Sequence, residues 1–508
     1  MNLSLNPGEV SGSVLVLAPD RDVRASQLCV ETFLTLVTND FNCDGTLNSS
    51  PKLRRFALRS LVLQENFLMG QNFDLEGTSM TAEEFGNLLA SGEDFDGSSN
   101  LRLMGEALRN LIDPYTADRT RQGEKLMRPF HSSFLWYDAR WGNGKYTTRK
   151  VLMRGQGVTL ARVLMSPSST TSQGVRETAR SAVQGLKRHL EHPTPLARIC
   201  EHIDSSLGAK GTSLPELETD EIKAWEAGAD SRLGDFTELT TRHLDGVVSQ
   251  GGASSAAVLW QARSLMAMNV ALNAVKSSWE RCEVGESERS ILIASPGQER
   301  TEDRVRLAAE RSLALCRASM ATAIMNEIQV RLTAEVANDP DRPLADLFRD
   351  LLPKRTGKAF FARLEEGKFA AGDPDYVALS QLLFENVEGY RRSIGGFRQL
   401  LDSIGMVFGG TRYSYLGLTA DLLSSLVGAL SREMPMTSEE FFLRLSEDWG
   451  LVVSPMAAEG TWIGDVLDGD DLALNAKRYE RLLVESGLAS NLSDRTVLVG
   501  ETAGRNLS

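Results

Sequence analysis

Four potential metal ligands lie close together in the stretch HLEHPTPLARICEH: His189, His192, Cys200 and His202. The two histidines at three-residue spacing can share one face of a helix, and imidazoles with a thiolate are ligands that zinc prefers. However, the spacing matches no standard zinc module, and two prolines interrupt the stretch. Helix-end histidines and a core cysteine are therefore the preferred interpretation, so no metal site is assigned, although metal occupancy is left open.

A second possible chemistry is metal-dependent hydrolysis. Asp341, Glu366 and Lys368 match the letters of the PD…ExK pattern, with which many nucleases hold Mg²⁺ and orient a water molecule. These groups must converge at the end of a β-sheet, whereas the intervening sequence has a helical pattern. Glu221 and Lys223 form another ExK in an acidic, helical context. No catalytic residue is assigned, and a metal-dependent nuclease or other hydrolase with a site assembled from distant residues is the alternative.

A basic and aromatic segment is a candidate for binding nucleic acid. Two β-prone runs flank Gly142-Asn143-Gly144, residues that tolerate positive φ, and this predicts a β-hairpin. Guanidinium groups beside exposed aromatic side chains would bind phosphates and stack on bases. In the alternative, which is favoured, one face of the hairpin buries its aromatic side chains and the charged face is solvated. The candidate residues are Arg128, Arg140, Trp141, Lys145, Arg149, Lys150 and Arg154.

A second basic group surrounds the sequence GGTRYSYLGLT, residues 409–419, and consists of Arg392, Arg398 and Arg412. The pattern predicts a helix over 393–404, a glycine turn, a short pair of strands and a helix over 418–430. This order is similar to that of a winged helix, a module that binds DNA or docks on proteins. No basic recognition helix is evident, so a protein partner is slightly favoured over DNA.

These candidates are distributed over a chain of 508 residues, which is too long for one hydrophobic core. The predicted fold class is mainly α with minor β. We predict an α+β region with the basic hairpin over 1–165, beginning with a buried strand over 13–18. A helical hairpin or bundle is predicted over 166–338, and winged-helix-like modules over 339–508.

The middle of the chain contains two long helical patterns, 253–282 and 298–337. Met320, Ile324 and Ile328 recur at four-residue spacing in the second, and this predicts one buried face. Two helices of this length, close in sequence, are expected to pack antiparallel as a rigid arm. Their Ala and Met residues are interpreted as core, so no cofactor is expected.

The formal net charge of −13 argues against a general binder of polyanions, so any contact with nucleic acid must come from local basic patches. Five cysteines without CxxC spacing fit reduced thiols in a cytosol. The N-terminus lacks the pattern of a signal peptide, and no apolar run reaches the roughly 18 residues of a membrane span. The predicted location is the cytoplasm, without membrane contact.

The C-terminal segment from residue 396 to residue 499 carries a repeated order of helix, glycine and short strand, and closes on RYERLLVESGL. Within it, Thr437 and Glu440 have the spacing of a capping box, and Gly450 is expected to end the helix that they start. In its repeated order and its closing sequence, the segment resembles the C-terminal part of large accessory proteins encoded in bacterial phage-defence operons. The resemblance implies membership of a multiprotein assembly that also contains ATPases or nucleases, and it brings no catalytic residues. The first 390 residues carry no such resemblance.

The sequence therefore predicts a non-catalytic structural or adaptor subunit of a cytoplasmic bacterial complex, with antiviral defence as its expected setting. Other protein subunits are the expected partners, and nucleic acid is a further candidate partner. The partner's identity and the oligomeric state are not determined by the sequence.

Overall fold

The computed structural model describes residues 5–21, 23–38, 156–165, 172–192, 233–296, 303–340, 342–352, 358–366, 375–410, 413–431, 434–493 and 496–500, and the backbone of four short strands between 73 and 148. This part of the chain is mainly helical with small sheets, as predicted. Two compact units are present, each drawn from separate stretches. The first comprises Met1–Val23, Asp220–Leu239 and Ala267–Ser508, and the second comprises Arg24–Thr219 and Thr240–Met266. The sequence predicted three consecutive domains, 1–165, 166–338 and 339–508, and this division stays a prediction.

Two short hairpins belong to the second unit. Strands β1 (Phe73–Leu75) and β2 (Thr78–Met80) pair antiparallel. Strands β3 (Ala139–Gly142) and β4 (Lys145–Thr148) also pair antiparallel, and the predicted hairpin is thereby confirmed.

The N-terminal segment of the first unit forms helix α1, Pro7–Leu15. The strand predicted over 13–18 is wrong. Asn6 accepts a hydrogen bond from the Gly8 N–H at 2.9 Å, and proline at the first helical position favours a helix that continues into the apolar run. The helix ends at Val16, whose φ of 61° is rare for a β-branched residue, and Leu17 donates to the Leu15 carbonyl at 2.7 Å.

The second unit contains helices α2 (Ala25–Thr38), α3 (Gln156–Met165) and α4 (Gln173–Leu190), which pack on one another. Close approach of α2 and α3 depends on a glycine. A Cβ at Gly157 would lie 2.5 Å from the Glu31 Cβ, and the Gly157 N–H donates to the Glu31 carboxylate at 2.7 Å.

The next helices are α5 (Gly234–Val248), α6 (Ser255–Arg281) and α7 (Arg304–Asn338). Helix α6 is buried on all sides along most of its length, and the prediction that its Ala and Met residues are core is confirmed from Ala262 onward, whereas Ala256 is half-buried and Ala257 is exposed. Its C-terminal end contacts the middle of α7, where Ser278 Oγ lies 3.0 Å from Ser319 Oγ. Antiparallel packing over the full length of the two helices stays a prediction.

Glu283 follows α6 in the left-handed region, with φ of 54°, and is exposed. Glu283→Gly is expected to raise the free energy of unfolding by about 0.5–1 kcal/mol, because glycine adopts this conformation without the steric cost of a Cβ. Urea denaturation would measure the difference. Glu283→Ala removes the same carboxylate but keeps the Cβ, so equal stabilisation by alanine would contradict the explanation.

The chain continues through α8 (Leu344–Leu351), α9 (Lys358–Glu366), α10 (Tyr376–Asn386) and α11 (Glu388–Asp402). Strands β6 (Val407–Phe408) and β7 (Tyr415–Leu416) then pair antiparallel, and α12 (Ala420–Leu430) follows. The predicted order of helix, glycine turn, strand pair and helix is confirmed. Gly409 in the turn has φ of 84°, in the region that favours glycine.

The last part of the chain repeats the order of helix, glycine and strand. Thr437 and Glu440 form the predicted capping box of helix α13 (Ser438–Trp449), and Gly450 ends that helix with φ of 71°. The remaining elements are β8 (Met436–Thr437), β9 (Leu451–Val452), α14 (Pro455–Ala458), α15 (Trp462–Val466), α16 (Gly469–Glu485), β10 (Ala489–Ser493) and β11 (Thr496–Val499). Strands β10, β11 and β8 form one sheet in that order.

The core of the first unit is organised around strand β5 (Ile291–Leu292), which pairs parallel with β9. The Ala294 N–H donates to the Leu416 carbonyl at 2.9 Å, so residues 290–295, the β5 segment, also bind β7. Asn475 and Tyr479 of α16 satisfy backbone groups around it, and both side chains are buried. The β5 segment thus pairs with one strand that is distant in sequence and is linked by a backbone hydrogen bond to a second strand pair, β6–β7.

No helix in the described ranges combines the length and apolar character that crossing a lipid bilayer requires.

Candidate partner-binding surface

The basic hairpin supplies three of the residues predicted to bind nucleic acid: Arg140, Trp141 and Lys145. Trp141 is the cross-strand partner of Tyr146, and Lys145 is the partner of Gly142. The other candidates of this segment lie outside the described residues: Arg128, Arg149, Lys150 and Arg154. Nucleic-acid binding by this hairpin stays a prediction.

Arg392 lies on α11 and binds the carboxylate of Asp20 with two hydrogen bonds, of 3.2 Å from Nε and 3.1 Å from Nη2. The arginine side chain is 17% exposed and the aspartate side chain 5% exposed. This bidentate pair attaches the N-terminal segment of the first unit to α11. The observed role of Arg392 is structural, and its contact with nucleic acid stays a prediction.

Arg398 lies on α11 after Arg392, and its side chain contacts the β6–β7 turn. Its Nη2 donates to Ser414 Oγ at 2.8 Å, and the Ser414 hydroxyl donates to the Gly410 carbonyl at 2.5 Å. Tyr413 beside them is 65% exposed. Arg412, the third candidate of this group, lies outside the described residues. Arg398 thus supports a turn that presents an aromatic side chain to solvent.

The potential zinc ligands are described only in part. Nδ1 of His189 lies 3.1 Å from Ser255 Oγ and Nε2 lies 3.5 Å from the Val248 carbonyl. Burial lowers the pKa of His189, since it disfavours the charged imidazolium. Cys200 and His202 lie outside the described residues, and within the described ranges no group of His, Cys, Asp and Glu side chains is arranged to hold a metal ion.

The nuclease-like residues are also outside what the structure describes. Asp341, Lys368, Glu221 and Lys223 fall in undescribed stretches, and Glu366 is described only as the last residue of α9. The structure therefore gives no geometry for this alternative.

A continuous exposed face of α7 is the most extended candidate surface of the first unit. Its positions recur every three or four residues and therefore follow one straight side of the helix. We call this face the outer stripe, and it consists of Arg304, Leu307, Arg311, Leu315, Ala318, Thr322, Asn326, Val330 and Thr333. Three large apolar side chains of the stripe are well exposed: Leu307 at 48%, Leu315 at 44% and Val330 at 56%.

The outer stripe and its margin are positively charged. The charged side chains at exposed positions of α7 are three arginines, Arg304, Arg311 and Arg317. The carboxylates of the helix face inward, with Glu310 half-buried and Glu327 and Glu335 buried. In a chain of net charge −13, this separation leaves Arg311 and Arg317 as a local basic group on α7, while Arg304 is ion-paired with Asp468 and Asp471.

Glu327 shows how the inner face accommodates its charges. Its carboxylate accepts hydrogen bonds from Arg331 at 2.9 Å, from Arg281 at 2.5 Å and from the Ser13 hydroxyl at 3.1 Å. Burial acts to raise the pKa of Glu327, but the hydrogen bonds from the two guanidinium groups outweigh it, so the pKa is lowered. The inner charges of α7 thus stabilise its packing within the first unit.

The N-terminal end of the outer stripe adjoins α15. Arg304 binds the carboxylates of Asp468 at 2.5 Å and Asp471 at 3.2 Å. About two helical turns further, the guanidinium of Arg311 lies 5.6 Å from the centre of the Trp462 ring. Leu307 lies between the two arginines on the same face of α7, so arginine, leucine and an aromatic ring occur together here. Arginine and tryptophan are enriched among residues that dominate binding energies at protein interfaces.

Sequence reasoning identified the buried face of α7 and missed the outer stripe. The signal was present, because arginines and leucines alternate at helical spacing between residues 304 and 315 while the carboxylates fall on the other side. A face with this spacing can either pack on another element of the chain or stay exposed. The spacing of its residues does not show which of the two occurs.

Comparison of this chain with models of known protein families, with curated proteins and with solved structures found no match.

Proposed function

We propose that this chain is a non-catalytic structural or adaptor subunit of a bacterial multiprotein complex, and that it binds a partner protein through the outer stripe of α7. The single observation that supports the proposal is a straight, exposed helix face on which large apolar side chains alternate with arginines. Isolated exposed apolar side chains are ordinary, whereas a continuous row with arginine and tryptophan at one end is typical of an interface.

Further features of the proposal rest on the sequence. The C-terminal part from α11 to α12 is proposed to be winged-helix-like, since it has the order of helix, strand pair and helix. A cytoplasmic location and a role in antiviral defence follow from the cysteine pattern and from the resemblance of the C-terminal segment. The three domains predicted over 1–165, 166–338 and 339–508 belong to the same proposal.

Nucleic-acid binding by the β3–β4 hairpin is a second candidate function. It is favoured by the register of the hairpin, in which Trp141 is paired with Tyr146 and Arg140 with Thr147. Because positions alternate between the two faces of a strand, Trp141 and Tyr146 belong to one face of this ribbon and Arg140 and Lys145 to the other, so an aromatic face for bases would be backed by a basic face for phosphates.

Leu307→Asp combined with Leu315→Asp is expected to remove the partner from the complex. Loss of two leucines that the partner would bury, and introduction of two carboxylates, should weaken binding at least tenfold, since burial of one leucine contributes about 1.5–3 kcal/mol. The tagged chain would be purified from its natural host, and stoichiometric partners would be quantified by mass spectrometry after size-exclusion chromatography.

The matched control is Val377→Asp on α10, an apolar position that is 61% exposed and lies outside the outer stripe. Circular dichroism would establish that all variants keep their helical content. Full retention of every stoichiometric partner by the double variant, or equal loss in the control, would contradict the assignment of the interface to α7.

A further inference from the structure

We infer that the outer stripe binds an acidic amphipathic helix of the partner protein. This inference rests on the proposed function and adds the chemical character of the partner segment. Three properties of the stripe carry it: its shape, the order of its side chains and its charge.

The shape of the stripe fits another helix. Arg304 and Thr333 mark its ends, about 44 Å apart at 1.5 Å per residue. Because the exposed positions follow one straight side of α7, the surface is long and narrow, and a second helix lying along it would contact every turn. A globular surface would contact only part of this length.

The order of side chains along the stripe has the same implication. Leu307 and Leu315 occupy the N-terminal half and Val330 the C-terminal half, while the small residues Ala318 and Thr322 lie between them. Large side chains at the two ends would insert into the grooves of a facing helix. Small side chains at the centre would allow the two helix axes to approach closely.

The charge of the stripe selects an acidic partner. Arg311 and Arg317 are exposed, and no carboxylate occupies an exposed position of α7. The chain itself provides an example of such pairing, because Arg304 at the end of the stripe binds Asp468 and Asp471. A partner helix that places glutamate or aspartate beside its apolar positions would make equivalent ion pairs along the stripe.

A nucleic-acid backbone fits the stripe less well than a helix. Phosphates would bind the arginines, but the exposed leucines between them and Val330 beyond them would stay in contact with water or with charged oxygens. An acidic amphipathic helix matches both the apolar and the basic positions. The experiment therefore compares such a helix with a nucleic acid as ligand.

The test uses the full-length chain and fluorescently labelled probes in an anisotropy titration. One probe is a synthetic peptide of about four heptads with leucine at the apolar positions and glutamate beside them, a second replaces each glutamate by lysine, and a third is a short DNA duplex. We expect saturable, salt-sensitive binding of the acidic peptide. We also expect at least tenfold weaker binding to the basic peptide and to the variant Arg311→Glu with Arg317→Glu.

The control variant is Arg363→Glu with Arg444→Glu, which makes the same change of charge at exposed positions of α9 and α13. It should bind the acidic peptide as the wild type does. The inference is overturned if the acidic peptide does not bind, if both peptides bind equally, or if the duplex binds and depends on Arg311 and Arg317. A negative peptide result refutes only the acidic helix if the variant Leu307→Asp with Leu315→Asp still loses its natural partners. In that case the proposed adaptor function stands.

Discussion

Asn475→Leu is expected to lower the free energy of unfolding of the first unit by about 3–5 kcal/mol, since it leaves several buried polar groups without partners. The Asn475 side-chain amide donates to the carbonyls of Ile293 at 2.9 Å and Val453 at 3.0 Å. Its oxygen accepts from the Ser295 N–H at 2.9 Å, and the side chain is fully buried. Leucine has a similar volume but satisfies none of these groups.

Denaturation by urea, followed by tryptophan fluorescence, to which the buried Trp449 of this unit contributes, would measure the loss. Lys477→Leu on the same helix is the control, and because the lysine is exposed it should change the free energy by less than about 0.5 kcal/mol. Tyr479→Phe should have an intermediate effect, since the hydroxyl donates to the Ala294 carbonyl and accepts from the Leu418 N–H. A change below about 1 kcal/mol for Asn475→Leu would show that the β5 segment is not held by this side chain.

Gly396→Ala is expected to detach the N-terminal segment of the first unit from α11, at a cost of about 2–3 kcal/mol. A Cβ at this position would lie 2.5 Å from the carbonyl carbon and oxygen of Pro19, which are backbone atoms and cannot rotate away. The displacement would also separate the buried carboxylate of Asp20 from Arg392. Hydrogen exchange of the amides between residues 5 and 21 would report the detachment.

The neighbouring glycine gives a matched control. A Cβ at Gly395 would lie 3.1 Å from the Arg21 Cγ, and that flexible side chain can move aside. Gly395→Ala should therefore be neutral, or stabilise α11 by about 0.5–1 kcal/mol through the higher helix propensity of alanine. If the amides of residues 5–21 were equally protected from hydrogen exchange in both variants, the close-packing explanation would be contradicted.

Local patterns predicted most elements of the first unit. The capping box of Thr437 and Glu440, the left-handed Gly450 and the strand pair after α11 all depend on neighbours in sequence, and each was confirmed. The strand over 13–18 was wrong because its apolar run also fits the end of a helix. Asn6 and Pro7 start that helix several residues earlier.

Pairings between distant residues were not predictable from one sequence. The rule that short strands follow glycine placed β9 correctly but did not show that it pairs with β5, because parallel pairing leaves no local signal. Arg392 was selected for its charge, yet its partner Asp20 is 372 residues away. The outer stripe was missed for the same reason, since exposure depends on which side of α7 the rest of the unit covers.

The attachment of the N-terminal segment to α11 has a consequence for biosynthesis. The Tyr390 hydroxyl donates to the Leu5 carbonyl across 385 residues. At a synthesis rate of about 5–20 residues per second, helix α1 waits roughly 20–80 s before α11 exists, although α7, which also packs on it, is made earlier. During that interval the part of α1 that faces α11 is available to chaperones, and a chain truncated before residue 390 would leave that part uncovered.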